Sequence, residues 1–137
     1  MTDSLIADRW IEDKLKSDAT LTGLVGERIY MDEAEELSTP FIVWSLVSDI
    51  PVQVVNHKTI LYTAVYQVKA VSVGPGYASG AAIMARVNTL LHDQSGAAPG
   101  GGYVEECVQG ERFRYAETTD RIHYRHIGNN FRITTRE

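Results

Sequence analysis

One cysteine, Cys107, stands alone in 137 residues. That excludes an intramolecular disulfide and a cysteine-rich zinc site, and it suits a reducing compartment. No apolar run is long enough to span a bilayer. The start, MTDSLIADRWIEDK, alternates acids with apolar residues and has neither a basic stretch nor a long apolar one, so no signal peptide is expected and the cytoplasm is the expected place of synthesis and assembly. Positive charge is also scarce: 13 Lys and Arg face 18 Asp and Glu, a net charge of −5. A domain built to grip nucleic acid is normally basic, or carries a dense basic face.

What is present is uneven. Residues 1–60 hold 11 acids and 5 bases, whereas residues 61–137 hold 7 acids and 8 bases. At this length one domain is expected, burying roughly two thirds of its unfolded surface in a core that needs no staples.

The stretch Val71 to Arg86, VSVGPGYASGAAIMAR, passes from a β-rich run through three glycines into an alanine-rich helix. Many proteins cradle a phosphate at such a junction. Here the glycines follow G-x-G-x-x-x-G, one place too long for a dinucleotide fingerprint, and Pro75 removes a backbone N–H. A P-loop needs Lys followed by Ser or Thr, and Ala81-Ala82 stands there instead. The alternative is a sharp strand-to-helix turn in which Gly74 and Gly76 supply unusual φ angles and Gly80 permits close packing.

Periodicity predicts the elements. Leu5, Ile6, Trp10, Ile11 and Leu15 form the apolar stripe of a helix over residues 4–16, capped by Asp3 or Ser4. Residues 17–25 read as a short helix or turn closed by Gly26, and ERIYM as a short strand. DEAEELSTP, residues 32–40, reads as an exposed acidic loop. Phe41 to Val47 is apolar on both parities, as in a strand covered on both sides, with one cover available to another subunit. DIPVQVVNHK, residues 49–58, reads as an interrupting loop, its apolar residues either docking onto a partner or continuing the sheet as a hairpin. Residues 59–73 alternate as a half-buried strand with Ala64, Tyr66, Val68 and Ala70 on one face. Gly76 to His92 is a second main helix, with Ala82, Ile83, Val87, Leu90 and Leu91 on its stripe. SGAAPGGG is a connector. Strands near 103–109, 111–117 and 121–134 follow, with turns at Gly110, 118–120 and 128–130. The fold class is therefore α+β, a mostly antiparallel sheet with two main helices packed against it.

Few residues point to chemistry. His123 and His126 lie three apart on a strand and face opposite sides, so they do not chelate one ion. Cys107, beside Glu105 and Glu106, has a thiol pKa raised by its acidic setting, which disfavours a reactive thiolate. No catalytic, cofactor or metal residue is assigned. In the C-terminal hairpin, Arg112 and Arg114 share a face with Arg121, His123 and Arg125 if the strands pair, leaving Phe113, Tyr115, Ile122 and Tyr124 for the core. That arginine face is either an ordinary solvated surface or a contact for phosphates or an acidic partner.

The order of elements, with LVGERIY, then TPFIVWSLVS, YTAVYQVKAVSV, AAIMARVNTLLHD and a last strand ending NNFRITT, resembles the tail completion or tail terminator family of long-tailed bacteriophages. The resemblance covers nearly the whole chain and rests most on GERIY followed about ten residues later by PFIVWSLVS. It implies one terminator-like α+β domain over residues 1–137, non-enzymatic and without cofactor. Such domains form a ring, usually a homohexamer, that caps the tail tube at the head-tail junction of the virion and joins it to head-completion or connector proteins. DNA passes through without specific binding, and no membrane is involved. On this basis the acidic loop Asp32, Glu33, Glu35 and Glu36 is expected to meet Arg112, Arg114, Arg121 and Arg125 of the next subunit, with apolar contacts including Trp44 holding the ring. Ile50, Val52, Val54 and Val55 are expected to dock onto the tail tube. A soluble scaffold module without a ring, and a nucleotide-binding enzyme using the Gly74–Gly80 turn, are the alternatives.

Overall fold

The computed structural model describes residues 5–35, 38–53 and 59–137. Its elements are α1 (Ile6–Lys16), α2 (Ala19–Val25), β1 (Ile29–Met31), β2 (Phe41–Gln53), β3 (Thr59–Val73), α3 (Ala78–Leu91), β4 (Gly96–Ala97), β5 (Tyr103–Thr119) and β6 (Ile122–Arg136). The fold is α+β. Six strands form one sheet in the order β1-β2-β3-β6-β5-β4, antiparallel except for the β1–β2 pair.

Helix α1 buries Ile6, Ala7, Trp10, Ile11 and Leu15, the face set by its periodicity, except that Leu5, expected on the stripe, precedes the helix and is exposed. Its expected caps, Asp3 and Ser4, lie outside the described residues. Helix α2 is held at its start by Asp18, whose carboxylate accepts the Leu21 N–H at 2.8 Å, and it ends at Gly26 with φ of 64°. The stripe of α3 is Gly80, Ile83, Met84, Val87 and Leu91; Met84 replaces the expected Ala82, which is exposed.

The two faces of the sheet are unequal. On the first, the three helices meet Ile29, Ile42, Trp44, Ala64, Tyr66, Val68, Ala70, Val104, Cys107, Phe131 and Ile133 in one continuous core. Each large side chain fully withdrawn there contributes about 1.5–3 kcal/mol. The second face carries only Phe41, Val43 and Val71, flanked by Tyr30, Ala34 and Tyr124. The double apolar parity of β2 thus serves both faces.

Two expected interruptions, and residues 49–53 of a third whose remainder lies outside the described residues, are continuous strand. Strand β2 runs on through residues 49–53, paired to β3 as far as Gln53↔Thr59, so Ile50 and Val52 sit in a hairpin arm and not in a loop; its only irregularities are shifts at Leu46/Ser48 and Val52/Gln53. Strand β5 passes Gly110 inside a register shift between Gln109 and Arg112, which absorbs the extra residues as a bulge. Strand β6 keeps its β3 partners through Lys69↔Gly128, Val68↔Asn129 and Gln67↔Asn130, because pairing on both sides outweighs the local turn preference of Gly and Asn. The reversal falls where Asp120 and Arg121 adopt φ of 51° and 67°, a two-residue hairpin turn.

Candidate functional site

The glycine turn is a mechanical joint. Gly74 has φ of 137°, as expected, whereas Gly76 is not among the positive-φ residues, and α3 begins at Ala78. A Cβ at Gly80 would come within 2.5 Å of Ile127 Cγ2, so its missing side chain lets α3 lie directly on β6. The sheet brings two arginines to this turn that no local spacing revealed. The Arg125 Nε–H donates to the Gly74 carbonyl at 3.0 Å, and Arg114 and Arg125 lie 5.2 and 5.7 Å from the Tyr77 ring centroid.

The histidines take separate partners. His126 Nε2 is 2.9 Å from Glu117 Oε1 and its ring stacks on Tyr115 at 4.4 Å, while His123 Nδ1 is 3.1 Å from Thr118 Oγ1. His92 Nδ1 accepts the Gln109 N–H at 3.0 Å. No group of three His, Cys, Asp or Glu suited to a metal occurs among the described residues. Cys107 is fully buried, and burial, with Asp93 and Glu106 nearby, pushes its thiol up to about 12.

The charged segments are arranged by the two faces. Cross-strand partners share a face, and the register pairs Arg112↔Asn129, Arg114↔Ile127 and Ala116↔Arg125. Ile127 packs against the helix-side core, so Arg112, Arg114 and Arg125 extend the first face beyond α3. Arg121 departs from them: it stands in the turn beside Asp120. Asp32 and Glu33 instead line a cleft of about 580 Å³ on the second face. Its walls are Phe41, Val43, Val71, Ile122 and Tyr124, and Glu117 and Asp120 add to its acidic rim. Glu35 lines a neighbouring groove with Glu12, Lys16, Glu27 and Glu33, which borders both, and Glu36 lies outside the described residues. Among the described residues, the acidic loop and the arginines therefore do not come together within one subunit.

Trp44 corrects the expectation that it faces a neighbour. It is 2% exposed and packs with Tyr66, ring centroids 6.1 Å apart, in the subunit's own core. Ile50, by contrast, is 64% exposed on its hairpin arm; Val52 lies opposite Leu61 in the same hairpin, and Val54 and Val55 fall outside the described residues.

Several long-range ties left no local signal. Arg86 donates twice to Asp18, at 2.6 and 2.9 Å, joining α3 to the cap of α2 and holding the Asp18 carboxyl down to about 2. The Tyr66 hydroxyl donates to Asp8 at 2.6 Å. Burial raises the Asp8 carboxyl above its ordinary value, outweighing that hydrogen bond, and burial together with Asp8 raises Tyr66. Lys69 donates to the Tyr115 hydroxyl at 3.0 Å beside the cleft.

Comparison with known proteins gives the context. Residues 11–136 match the family model described as tail completion protein gp17. The fold is similar to that of a chain in the virion of a native gene transfer agent particle, with a TM-score of 0.73 and 17% identity over 98% of this chain and 100% of that one. A second solved structure aligns with a TM-score of 0.55 and 16% identity, covering 97% and 96% of the two chains. No curated protein matches by sequence.

Proposed function

Because the chain belongs to the tail completion protein gp17 family, and is thus a structural protein of the phage virion tail, we propose that it forms a ring, a homohexamer, that caps the tail tube and joins it to the head-completion or connector proteins. The observation that carries the ring is the separation of charge. One sheet presents an acid-rimmed apolar cleft on one face and an arginine group on the other. The two surfaces are complementary and do not meet within a subunit, which is what the repeated head-to-tail contact of a closed ring requires.

The two hairpins give the ring two ends. The Gln53 and Thr59 ends of β2 and β3 and the Asp120–Arg121 turn lie at opposite ends of the strands, since Gln53 pairs with Thr59, Tyr62 with Thr135 and Val73 with Tyr124. The apolar β2–β3 hairpin, with Ile50 exposed, is assigned to the tube, and the other end to the connector. The role is structural and not enzymatic, carried by one domain over residues 1–137. DNA passes through the ring without specific contacts, consistent with the net charge of −5.

Light scattering of the purified protein, alone and bound to isolated tail tubes, tests this. A mass of six subunits in either state is expected. A protein that stays monomeric in both, or never binds the tube, contradicts the ring and leaves a scaffold module without one.

A further inference from the structure

We propose that the cleft on the second face is the seat of the Arg112, Arg114 and Arg125 patch of the next copy of the chain, so that the β5–β6 ribbon of each subunit is gripped on both sides by neighbours. The inference rests on the ring reading and specifies its contact.

Three observations lead to it. First, the cleft is unfinished. Its floor is the small buried cluster of Phe41, Val43 and Val71, and beside it on the same face Val73, Tyr115 and Ile122, the last two expected in the core, are 50%, 42% and 41% exposed because no helix covers this face. An apolar surface of this kind rimmed by polar groups marks an interaction site. Second, the charges match. Four carboxylates, Asp32, Glu33, Glu117 and Asp120, line the cleft against one lysine, Lys69, and His126, which is 2.9 Å from Glu117; among the described residues no carboxylate lies within ion-pairing distance of Arg112, Arg114 or Arg125. An acidic apolar cleft selects a cationic occupant that also brings rings and alkyl stems. The arginine patch provides both, with Tyr77 at its centre.

Third, the patch is held ready. Arg125 is fixed by the Gly74 carbonyl, and both Arg114 and Arg125 lie over Tyr77, so less side-chain freedom is lost when carboxylates arrive. The same ribbon carries Glu117, Asp120 and Ile122 toward the cleft and Arg112, Arg114 and Arg125 on its back. A contact between back and front leaves each copy with one of each still open, so it propagates from subunit to subunit, and it closes as a ring when the rotation between neighbours closes. Relative to the expectation from sequence, Glu117 and Asp120 join the acidic side, while Glu35 and Arg121 drop out.

Cross-linking in the assembled protein tests the contact. Thr119 lines the cleft and Ser79 lies exposed in the first turn of α3, two residues past Tyr77. The double variant Thr119→Cys with Ser79→Cys should give a denaturation-resistant ladder up to the full ring with a short bis-maleimide, and each single variant should not. Native Cys107 is buried and serves as the silent control. In parallel, Arg112→Glu with Arg114→Glu should raise the concentration for half-assembly by about tenfold or more, and adding Asp32→Lys with Glu33→Lys should recover most of it. Rings that form without the double-variant ladder overturn this contact while leaving the ring reading intact. Wild-type protein that makes no ring overturns both.

Discussion

The two faces of the sheet are made from the same strands and finished to different degrees. The first is closed by three helices over a core that includes Trp10, Tyr66 and Phe131, all nearly inaccessible. The second ends in a small cluster around Phe41 and Val71, with an open cleft and exposed apolar side chains beside it. The difference separates two jobs. The first face makes the subunit stable by itself, and the second is left for another molecule to complete.

The strongest way to break this division is to truncate matched aromatics on the two faces. Phe131→Ala on the first face should cost about 3–5 kcal/mol of unfolding free energy in urea titration, the usual range for a fully enclosed Phe. Phe41→Ala on the second, 5% exposed in a cluster of only three buried residues, should fall at the low end of that range, about 3 kcal/mol, and should also impair ring assembly. Equal losses of stability would show the second face to be an ordinary core.

Next in size is the joint between helix and sheet. Gly80→Ala places a methyl within 2.5 Å of the stiff, β-branched Ile127 side chain. A loss of about 1–3 kcal/mol is expected, with part recovered by adding Ile127→Ala. The second face should be indifferent to this change except through folding.

Smaller still is the effect of Asp18, which ties α2 to α3 and belongs wholly to the helical layer. Its carboxyl is held at about 2 by the Arg86 guanidinium, below the ordinary 3.8. A depressed carboxyl contributes stability that is complete above the ordinary value and is lost as pH falls through the depressed one. Asp18→Asn should therefore lower the melting temperature at neutral pH, and the difference from wild type should vanish as the pH approaches about 2. Asp8 has the opposite sign. Its raised carboxyl favours the fold below its ordinary range and loses that contribution as pH rises through the raised value, so acidification tests the two against each other. The smallest expected effect is none: ATP, GTP or NAD at millimolar concentration should not shift the melting temperature, because the Gly74–Gly80 turn packs helix on sheet. A saturable rise would revive the nucleotide reading.

The first face was readable in the sequence and the second was not, for a physical reason. Helix stripes and strand alternation repeat locally, so Trp10, Leu15, Tyr66, Val68 and Val87 declared their burial. The shared face of Arg112, Arg114 and Arg125 followed from period-two alternation in the same way. Trp44 misled because a strand apolar on both parities does not say which side is closed by its own helices. Gly110 and Gly128 misled because turn preference is local, whereas strand continuity depends on partners distant in sequence. The clamp of Tyr77 by Arg114 and Arg125, and the turning of Glu117 toward the acidic loop, depend on contacts that no spacing encodes.

An electron cryo-microscopy reconstruction of the assembled ring on the tail tube tests the central claim most directly. The guanidinium groups of Arg112 and Arg114 should lie within ion-pairing distance of Asp32, Glu33 or Glu117 of the adjacent subunit, with Ile122, 41% exposed in the isolated subunit, covered by the same contact. A ring in which the cleft opens to solvent or to the lumen, with the arginines elsewhere, would contradict it.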